Sequence, residues 1–332
     1  MRRLGKTPAP KTVVWECTLA CNMQCVHCGA YSNKKFKELS TEKMFFLLDE
    51  LSSYGVERFA VTGGEPLLRK DTLDILARAK KIGFSTGLST NGFFVSDENA
   101  RKIADSVDSV QVSIDGIGRT HDLLRRKSGS FIKAANALRV LKKHNCKQVC
   151  MTSIISPLNL DELNGLYDLA RQNADLWRIG TVMPIGRASK NNELILSREQ
   201  LTKLLKFIAE TPSDFLVLLG ENLGYLGKLD SLVHKRDFFF CGAGILSCCI
   251  GIDGKVRGCP ELPSTSEFIE GDLAKDSFAD IWENGFRDYR NEAFSKIPDD
   301  CISCSDLDLC RGGCQVMRLR NLHCTKKRLG LE

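Results

Sequence analysis

Short apolar runs alternate with longer amphipathic segments along the first two thirds of the 332-residue chain. This alternation is typical of parallel β/α units, in which each buried strand is followed by a helix that covers the sheet. It predicts strands over residues 11–16, 58–62, 85–89, 109–114, 148–155 and 176–182. These units are fewer than the eight of a closed barrel, so the pattern predicts an α/β fold that is only a partial barrel.

Helix-capping sequences support this pattern at two places. Residues 40–43, Ser-Thr-Glu-Lys, open a predicted helix that ends near Gly55. Residues 197–200, Ser-Arg-Glu-Gln, open another that ends near Pro212. In such sequences the serine hydroxyl accepts a hydrogen bond from a backbone N–H that the first helical turn leaves without a partner. Both helices therefore have a defined start.

The composition predicts a folded chain with a large core. Apolar residues make up 43% of it, which suffices for one large domain or for one domain with an appendage. We expect a tail over residues 1–11, a barrel over 12–215, a bridging segment over 216–240 and a cysteine-rich domain over 241–332.

Neither a membrane nor a nucleic acid is an expected partner. No stretch approaches about 18 uninterrupted apolar residues, and the basic N-terminal segment has no apolar core, so we predict no membrane span and no signal peptide. The net charge of +6 is mild and dispersed, which argues against nucleic-acid binding. A cytoplasmic location is expected.

Fifteen cysteines are more than packing requires, and their spacings are clustered. Without a secretion signal, this favours metal ligation in a reducing cytoplasm over a disulfide framework. Cys21, Cys25 and Cys28 lie in a loop that follows the first predicted strand. Three thiolates at this spacing suit a small iron–sulfur cluster with one iron that has no protein ligand, whereas a structural zinc site normally closes with four ligands.

This run of cysteines resembles the Cys-x3-Cys-x2-Cys signature of the radical S-adenosylmethionine (radical SAM) superfamily. The resemblance implies a partial (β/α)6 barrel and a [4Fe-4S] cluster on Cys21, Cys25 and Cys28. In that family the open iron chelates S-adenosylmethionine (AdoMet), and an electron from the cluster cleaves AdoMet to a deoxyadenosyl radical. The resemblance also implies an electron donor such as flavodoxin or ferredoxin.

The segment after the second predicted strand, Gly63-Gly64-Glu65-Pro66, is a candidate AdoMet contact. Two glycines allow the backbone to approach a ligand closely, and the Glu65 carboxylate could accept hydrogen bonds from an ammonium group. The stretch matches the family's Gly-Gly-Glu-Pro motif, which contacts the AdoMet amino group. The alternative is an ordinary strand-to-helix turn with Glu65 near the helix N-terminus.

Polar residues after the third and fourth predicted strands are further AdoMet candidates. Ser89 and Asn91 could hydrogen-bond ribose hydroxyls or a carboxylate, although Asn-Gly is also a common turn. Ser113 begins a Ser-Ile-Asp-Gly stretch, followed by His-Asp-x-x-Arg, that resembles radical SAM peptide-modifying enzymes. The resemblance assigns Arg125 to the AdoMet carboxylate, which a guanidinium fork matches.

A hairpin is predicted in the C-terminal third, because Asp253-Gly254 is a two-residue turn signal. With that turn Cys248 faces Cys259, and cross-strand Cβ atoms about 4.5–5.5 Å apart allow both thiolates to reach one cluster. Cys249 then lies on the opposite face and is not a predicted ligand. A disulfide between Cys248 and Cys259 is the alternative, which a reducing cytoplasm disfavours.

The remaining cysteines complete a second specific pattern. Cys301-x2-Cys304-x5-Cys310-x3-Cys314 precedes Cys324, and together with Cys241 and Gly254-x4-Cys259 it resembles the SPASM domain of radical SAM peptide maturases. The resemblance implies two auxiliary [4Fe-4S] clusters, and therefore three clusters in all. It assigns Cys241, Cys248, Cys259 and Cys314 to the first and Cys301, Cys304, Cys310 and Cys324 to the second. Spacing alone would instead group Cys301, Cys304, Cys310 and Cys314, as in a zinc site.

Other reactive residues receive no catalytic role. Cys17, Cys146, Cys150 and Cys249 are explained as small buried apolar residues. Asp115 and His121 fit a role in a turn or a helix cap equally as well as they fit a catalytic role. The sequence marks no general base, so the catalytic residues are unknown at this stage.

Together these resemblances predict an enzyme that abstracts hydrogen from a peptide or protein substrate and produces an oxidation, a crosslink or a thioether. The segment before the first strand is too short for a peptide-recognition domain. We therefore expect a separate peptide-delivering protein, a target bound directly, or a substrate that is not a peptide. Biosynthesis of a haem-type cofactor is the alternative enzymatic function. An iron–sulfur electron-transfer or zinc-scaffold protein is the non-enzymatic alternative, which would have no use for the Gly-Gly-Glu motif.

Overall fold

The protein, examined as a computed structural model, is described over residues 7–29, 37–234, 241–290 and 297–331. Residues 1–6 of the expected tail, 30–36 of the expected barrel, 235–240 of the expected bridging segment, and 291–296 and 332 of the expected cysteine-rich domain lie outside this part of the chain. The strands are β1 Thr12–Glu16, β2 Arg58–Thr62, β3 Ser85–Thr90, β4 Ser109–Ser113, β5 Gln148–Ile155, β6 Leu176–Thr181, β7 Leu216–Leu219, β8 Ser247–Ile250, β9 Lys255–Arg257 and β10 Gly271–Asp272.

All these strands belong to one sheet with the order β10-β9-β8-β1-β2-β3-β4-β5-β6-β7. Strands β1 to β7 follow one another in parallel, as a succession of β/α units requires. On the other side of β1, β8 is also parallel, and the short strands β9 and β10 complete the sheet in antiparallel fashion. The predicted α/β fold with a parallel partial barrel is confirmed.

Helices α1 to α8 lie between strands, and α9 to α13 follow the last strand. They are α1 Thr41–Tyr54, α2 Thr72–Lys81, α3 Asp97–Ser106, α4 Arg119–Arg125, α5 Ser130–Lys143, α6 Leu163–Asn173, α7 Arg198–Glu210, α8 Asp230–His234, α9 Phe278–Asn284, α10 Asp299–Ile302, α11 Leu307–Cys310, α12 Gln315–Arg318 and α13 Thr325–Leu329. Within the described part of the chain, none of them combines the length and apolar composition that a membrane crossing requires.

The two predicted helix starts are confirmed. The Ser40 hydroxyl accepts from the Lys43 backbone N–H, and α1 ends at Gly55, whose φ of +101° is the left-handed conformation of a helix C-cap. Ser197 and Gln200 form the capping box of α7. These caps set where each helix begins relative to the strand that it follows.

Two parts of the sheet were not predicted. Strand β7 lies within the expected bridging segment, yet it pairs in parallel with β6. The apolar run over residues 215–219 is too short for periodicity to distinguish strand from loop. The pairing of β8 with β1 brings the cysteine-rich C-terminal segment beside the first barrel strand. That contact joins residues far apart in sequence, which no local pattern encodes.

The two faces of β1 have different surroundings. Val13 and Trp15 are fully buried in the core that the helices cover, whereas Val14 and Glu16 are half-buried and point to the other face, the barrel interior. Successive strand residues alternate in this way because the side-chain period is two. The side chains of Val14 and Glu16 are therefore the ones that β1 contributes to the barrel interior.

Candidate cluster and cofactor sites

The N-terminal cysteine loop leaves β1 toward the carboxyl ends of the parallel strands. Cys25 is buried, Cys28 is half-buried and Cys21 is exposed. Burial raises the pKa of the Cys25 thiol to about 11, although the neighbouring Arg125 guanidinium opposes the shift. Cys17 instead points into the core, where burial raises its pKa to about 12 and its thiol lies 4.0 Å from the Thr72 hydroxyl.

One group of three ligand atoms in the described part of the chain is close enough to hold a single metal ion. It consists of Asp300, Cys301 and His323, whose ligand atoms lie within 4.8 Å of one another. No three thiols form such a group, although all the cysteines are described. A four-iron cluster bonds each thiolate to a different iron and so holds the thiolates farther apart than the about 3.8 Å of a tetrahedral zinc site.

The Gly-Gly-Glu segment packs directly on the cysteine loop. The Gly64 N–H donates to the Thr18 carbonyl at 2.7 Å, and the Glu65 N–H donates to the Ala20 carbonyl at 2.8 Å. A Cβ atom on Gly64 would lie 2.3 Å from the Ala20 oxygen, and Gly63 has a φ of +152° and equally close neighbours. Side chains at these positions would push the loop away, so the glycines are required by close backbone approach.

The Glu65 carboxylate binds protein donors on three sides. It accepts hydrogen bonds from the Leu67 N–H at 3.0 Å, the Thr90 hydroxyl at 2.8 Å and the Asn91 N–H at 2.7 Å. Its side chain is fully buried, and burial raises the pKa of the carboxyl although these hydrogen bonds oppose the shift. Glu65 therefore joins the ends of β2 and β3, a role beyond the expected contact with an AdoMet ammonium group.

The other predicted AdoMet residues lie at the same edge of the sheet. Asn91 donates from Nδ2 to the Asn22 side-chain oxygen at 2.8 Å, which ties the end of β3 to the cysteine loop. Ser89 and Ser113 are half-buried near the carboxyl ends of β3 and β4. Carboxyl ends of parallel strands are where such folds bind their ligands.

Arg125 belongs to a buried ion cluster behind the cysteine loop. Its Nε lies 2.6 Å from a carboxylate oxygen of Asp115, and His27 Nε2 lies 3.2 Å from the same oxygen. Asp115 is fully buried; burial alone would raise its pKa, but Arg125 and then His27 hold the pKa below its usual range. Arg125 is thus oriented by Asp115 next to the cysteine thiols.

His121 contributes to this arrangement through the backbone. Its Nδ1 accepts from the Asp115 N–H at 3.0 Å, and burial lowers the pKa of the imidazole to about 4. His121 is therefore neutral near pH 7 and stabilises the end of β4. His27 was missed by the sequence analysis, although its place inside the cysteine run was a signal that could have found it.

The predicted hairpin exists, but its turn is one residue longer than predicted. The Gly251 N–H donates to the Lys255 carbonyl at 2.8 Å, and Gly254 has a φ of +86°. Residues 252–254 therefore form a three-residue loop with its glycine in the left-handed conformation, a common hairpin type. Cys249 pairs with Arg257 and not with Gly258. The predicted register, with Cys248 facing Cys259, is wrong by one residue.

This shift exchanges the faces of the two adjacent cysteines. Cys248 lies beside Val13 in the parallel pairing and is part of the same apolar core. Cys249 lies beside Val14 and shares its face with Arg257, whose Nη2 is 3.7 Å from the Cys249 sulfur. Because side chains two residues apart point to the same face, this is also the face toward which Cys259 would extend.

Four C-terminal thiols influence one another electrostatically. Burial, and then the Glu261 carboxylate, raise the pKa of Cys259 well above its usual value, and the Cys314 and Cys241 thiols add to that shift. Burial, and then the Glu16 carboxylate, also raise the pKa of Cys249, with a contribution from the Cys259 thiol. Cys241, Cys249 and Cys314 therefore lie within electrostatic range of Cys259, although Cys314 is far from the other three in sequence.

A separate cavity is lined by Cys301, Cys304, Cys310 and Cys324. His323 also lines it, with Nε2 3.5 Å from the Cys301 sulfur. Burial raises the pKa of Cys301 to about 11, and the thiols of Cys310 and Cys324 contribute. Cys314 does not line this cavity, and Cys310 also lines a second cavity together with Cys241.

A pair of carboxylates lies between the N-terminal loop and the hairpin. Arg257 forms an ion pair with Glu16 at the end of β1. Burial, and then the nearby Glu16 carboxylate, raise the pKa of Glu261 to about 7. Glu261 also reaches the N-terminal loop, since a Cβ atom on Gly29 would lie 2.8 Å from its carboxylate. No motif in the sequence marks this meeting of distant residues.

Comparison with known families finds two matches. Residues 15–170 match the Radical SAM superfamily, and residues 241–305 match SPASM, an iron–sulfur cluster-binding domain. The first match runs from the end of β1 into α6 and includes the N-terminal cysteine loop, and the second covers the hairpin and Cys301 and Cys304.

Individual proteins resemble the chain along most of its length. The mycofactocin maturase MftC of Mycolicibacterium smegmatis is 32% identical over 93% of this chain and 79% of that protein. The AdoMet-dependent heme synthase of Methanosarcina barkeri is 28% identical over 93% of this chain and 92% of that protein. The crystal structure of Streptococcus suis SuiB bound to the precursor peptide SuiA superimposes with a TM-score of 0.77 at 13% identity, covering 97% of this chain and 76% of SuiB. At that identity the structural likeness concerns the fold alone.

Proposed function

Since the chain belongs to the radical SAM superfamily and carries a SPASM domain, we propose that it modifies a peptide or protein after abstracting a hydrogen atom from it. The similarity to a peptide maturase supports this substrate class, and the fold shared with peptide-bound SuiB is compatible with it. The product would carry an oxidation, a crosslink or a thioether. When bound, the reduced cluster supplies the electron that cleaves AdoMet to the hydrogen-abstracting radical.

We propose that Cys21, Cys25 and Cys28 hold the radical-generating cluster. The observation that carries the proposal is the junction of the cysteine loop with Gly63-Gly64-Glu65, made by two backbone hydrogen bonds and by glycines that leave no room for a Cβ atom. An electron carrier or zinc scaffold needs no such junction. The junction is needed in a site that must bring a cofactor, a cluster and the ends of strands together.

Arg125 is the proposed partner of the AdoMet carboxylate. Asp115 holds its Nε, so the planar guanidinium is oriented and the two terminal nitrogens can present a fork to a carboxylate. Ser89 and Ser113 place hydroxyls at neighbouring strand ends. Glu65 and Asn91 position the strand ends against the cysteine loop.

The C-terminal cysteines are proposed to hold two auxiliary [4Fe-4S] clusters, which brings the total to three. The corrected hairpin register replaces Cys248 in the first set, which becomes Cys241, Cys249, Cys259 and Cys314. The cavity-lining set, Cys301, Cys304, Cys310 and Cys324, holds the second. An external reductant such as flavodoxin or ferredoxin would supply electrons.

The test uses anaerobic protein, dithionite, AdoMet and a peptide encoded next to this chain. We expect deoxyadenosine formation and a mass change in the peptide. A variant with Cys21, Cys25 and Cys28 all changed to Ala is the control, because it retains the C-terminal cysteines but should form no deoxyadenosine. Equal deoxyadenosine from this variant and the unaltered protein would refute the proposal.

Similarity to a heme synthase over nearly its whole length supports a second candidate function, modification of a haem-type precursor. The same assay distinguishes the two functions when an iron porphyrin precursor replaces the peptide. Turnover of the porphyrin, with peptides left unchanged, would replace the peptide proposal while preserving the radical mechanism.

A further inference from the structure

Residues 185–191, which follow β6 and are here called the clasp segment, lie across the N-terminal cysteine loop. The backbone N–H groups of Arg187 and Ala188 donate to the Cys28 carbonyl at 2.9 and 3.3 Å. Arg187 Nη1 also donates to the Cys25 carbonyl at 3.3 Å, and Asn191 Nδ2 donates to the Val26 carbonyl at 2.9 Å. Three carbonyls of one four-residue stretch are therefore bound by a single distant segment.

Close backbone approach shows that this contact is built into the fold. Gly186 has a φ of +53°, and a Cβ atom there would lie 2.3 Å from the Gly29 carbonyl oxygen. A Cβ atom on Gly29 would in turn lie 3.0 Å from the Ile185 side chain. Glycine on both sides lets the two segments touch, and a larger residue on either side would separate them.

An apolar contact accompanies the hydrogen bonds. Val26, between the cysteines of the loop, packs against a small cluster formed by Val182, Ala188 and Leu194. The clasp segment thus holds the loop by a side chain as well as by its carbonyls. A loop held by several kinds of contact has fewer alternative conformations than one held only by its cluster.

The clasp segment also touches the C-terminal cysteine region. Arg320, which lies between Cys314 and Cys324 in the sequence, donates from Nη2 to the Ser189 carbonyl at 3.4 Å. The same segment therefore contacts the loop that carries the first three cysteines and the chain that carries the last ones.

We infer that the clasp segment positions the radical-generating cluster, with Arg187 and Asn191 as positioning residues that act through the carbonyls of Cys25, Val26 and Cys28. This inference rests on the proposed function, because it concerns the cluster that the loop would hold. Neither residue needs to touch AdoMet or the substrate. Their hydrogen bonds fix the backbone that carries the three thiols, which would hold the cluster and leave one iron free for a ligand.

The experiment compares Arg187→Ala, Asn191→Ala and the double variant with Arg171→Ala. Arg171 is a matched control, since it lies on α6 and its ion pair with Asp214 is half-exposed. Each holoprotein is reduced and measured for iron content, for its electron paramagnetic resonance spectrum with and without AdoMet, and for deuterium exchange in a peptide that covers residues 21–29.

We expect unchanged iron content in the variants but faster exchange over residues 21–29 and an altered AdoMet-dependent spectrum. AdoMet binding should weaken about two- to tenfold in each single variant, as the loss of one hydrogen bond implies. Arg187→Lys, which restores a cationic donor, should recover part of the loss. The Arg171→Ala control should match the unaltered protein in every measurement.

The inference would be overturned if the double variant equalled Arg171→Ala in its paramagnetic resonance spectra, its deuterium exchange over residues 21–29 and its AdoMet affinity. Loss of the cluster iron itself would also contradict it, because the clasp segment would then be needed to retain the cluster. Failure of the proposed function is distinguishable, since it would appear in the unaltered protein as an absence of AdoMet-dependent spectral change and of deoxyadenosine.

Discussion

Cys248 and Cys249 are neighbours in sequence with opposite surroundings. Both are nearly fully buried, so burial alone does not separate them. Two pairings do: β1 places Cys248 beside the core residue Val13, and β9 places Cys249 beside Arg257. Burial raises the pKa of both thiols, and an arginine opposes the shift in each case, Arg290 at Cys248 and Arg257 at Cys249. The face separates them, because Cys249 shares the Arg257 face toward which Cys259 would extend. At the scale of single residues, Cys249 is therefore the better placed cluster ligand.

Substitution of each cysteine by Ala tests this distinction. Cys249→Ala should lose or destabilise the first auxiliary cluster, with up to about four irons removed if the whole cluster is lost. Cys248→Ala should retain all iron and lose about 1 kcal/mol of unfolding free energy from the small cavity that it leaves. Iron analysis and thermal unfolding of both proteins, prepared anaerobically, give the answer. Iron loss from Cys248→Ala alone would reject the assignment, and so would full iron retention in both variants.

Glu65 gives the second prediction at the residue scale. In Glu65→Gln one carboxylate oxygen becomes an amide NH2 that faces hydrogen-bond donors from β3, so the junction of β2 and β3 should lose about 1–3 kcal/mol of stability. AdoMet affinity should fall about ten- to hundredfold, because the ammonium contact loses its charge and the cysteine loop loses its support. Calorimetric unfolding and AdoMet titration measure the two effects.

The exposed Glu98→Gln on α3 is the matched control for Glu65→Gln and should change neither quantity. Weaker AdoMet binding with unaltered unfolding would show that Glu65 contacts only the ligand. Unaltered AdoMet binding would show that the Gly-Gly-Glu stretch is an ordinary turn.

At the scale of secondary-structure elements, the strands of the barrel were predictable and the connections between distant strands were not. β2 and β5 have the predicted bounds, because short, mostly apolar runs between turn residues define them. The hairpin turn was misplaced because Asp253-Gly254 fits a two-residue and a three-residue loop equally well in sequence. Only the ladder with β1 and β9 distinguishes them. The cysteine motifs could be predicted because metal ligation constrains the sequence spacing of the ligands. The cluster of Glu16, Arg257 and Glu261 could not, because tertiary contact alone brings these residues together.

The junction between the β2 turn and the cysteine loop leads to a prediction at this scale. In Gly64→Ala the new methyl group would meet the Ala20 carbonyl at 2.3 Å, so the cysteine loop must move. We expect loss of the radical-generating cluster, about four irons, and of deoxyadenosine formation, while the auxiliary clusters stay in place. Gly83→Ala is the control: its φ is +108° but nothing lies within 4 Å, so it should cost only stability. Full iron content in Gly64→Ala would show that the loop tolerates displacement.

At the scale of the whole molecule, the C-terminal cysteine region is joined to the barrel at several points. Strand β8 extends the sheet at β1, and α9 packs on α1, where the Phe278 N–H donates to the Glu50 carboxylate at 2.6 Å. The Trp282 indole donates to the Pro8 carbonyl at 2.8 Å, just before β1. β1 leads into the N-terminal cysteine loop and pairs with the C-terminal β8. Its position therefore determines where the clusters that the two regions would hold lie relative to each other.

This arrangement predicts the metal content of the complete protein. Three cysteine sets that each assemble a four-iron cluster give about twelve irons per chain after anaerobic reconstitution. Changing Cys21, Cys25 and Cys28 together to Ala should leave about eight, because the C-terminal sets are carried by other strands and loops. Changing Cys301, Cys304 and Cys310 to Ala should also leave about eight, but with deoxyadenosine formation preserved, since the radical-generating loop is intact. Iron and zinc analysis of the three proteins checks this directly. Stoichiometric zinc with little iron would contradict the cluster assignment, because a structural zinc ion is held by four protein ligands around one ion.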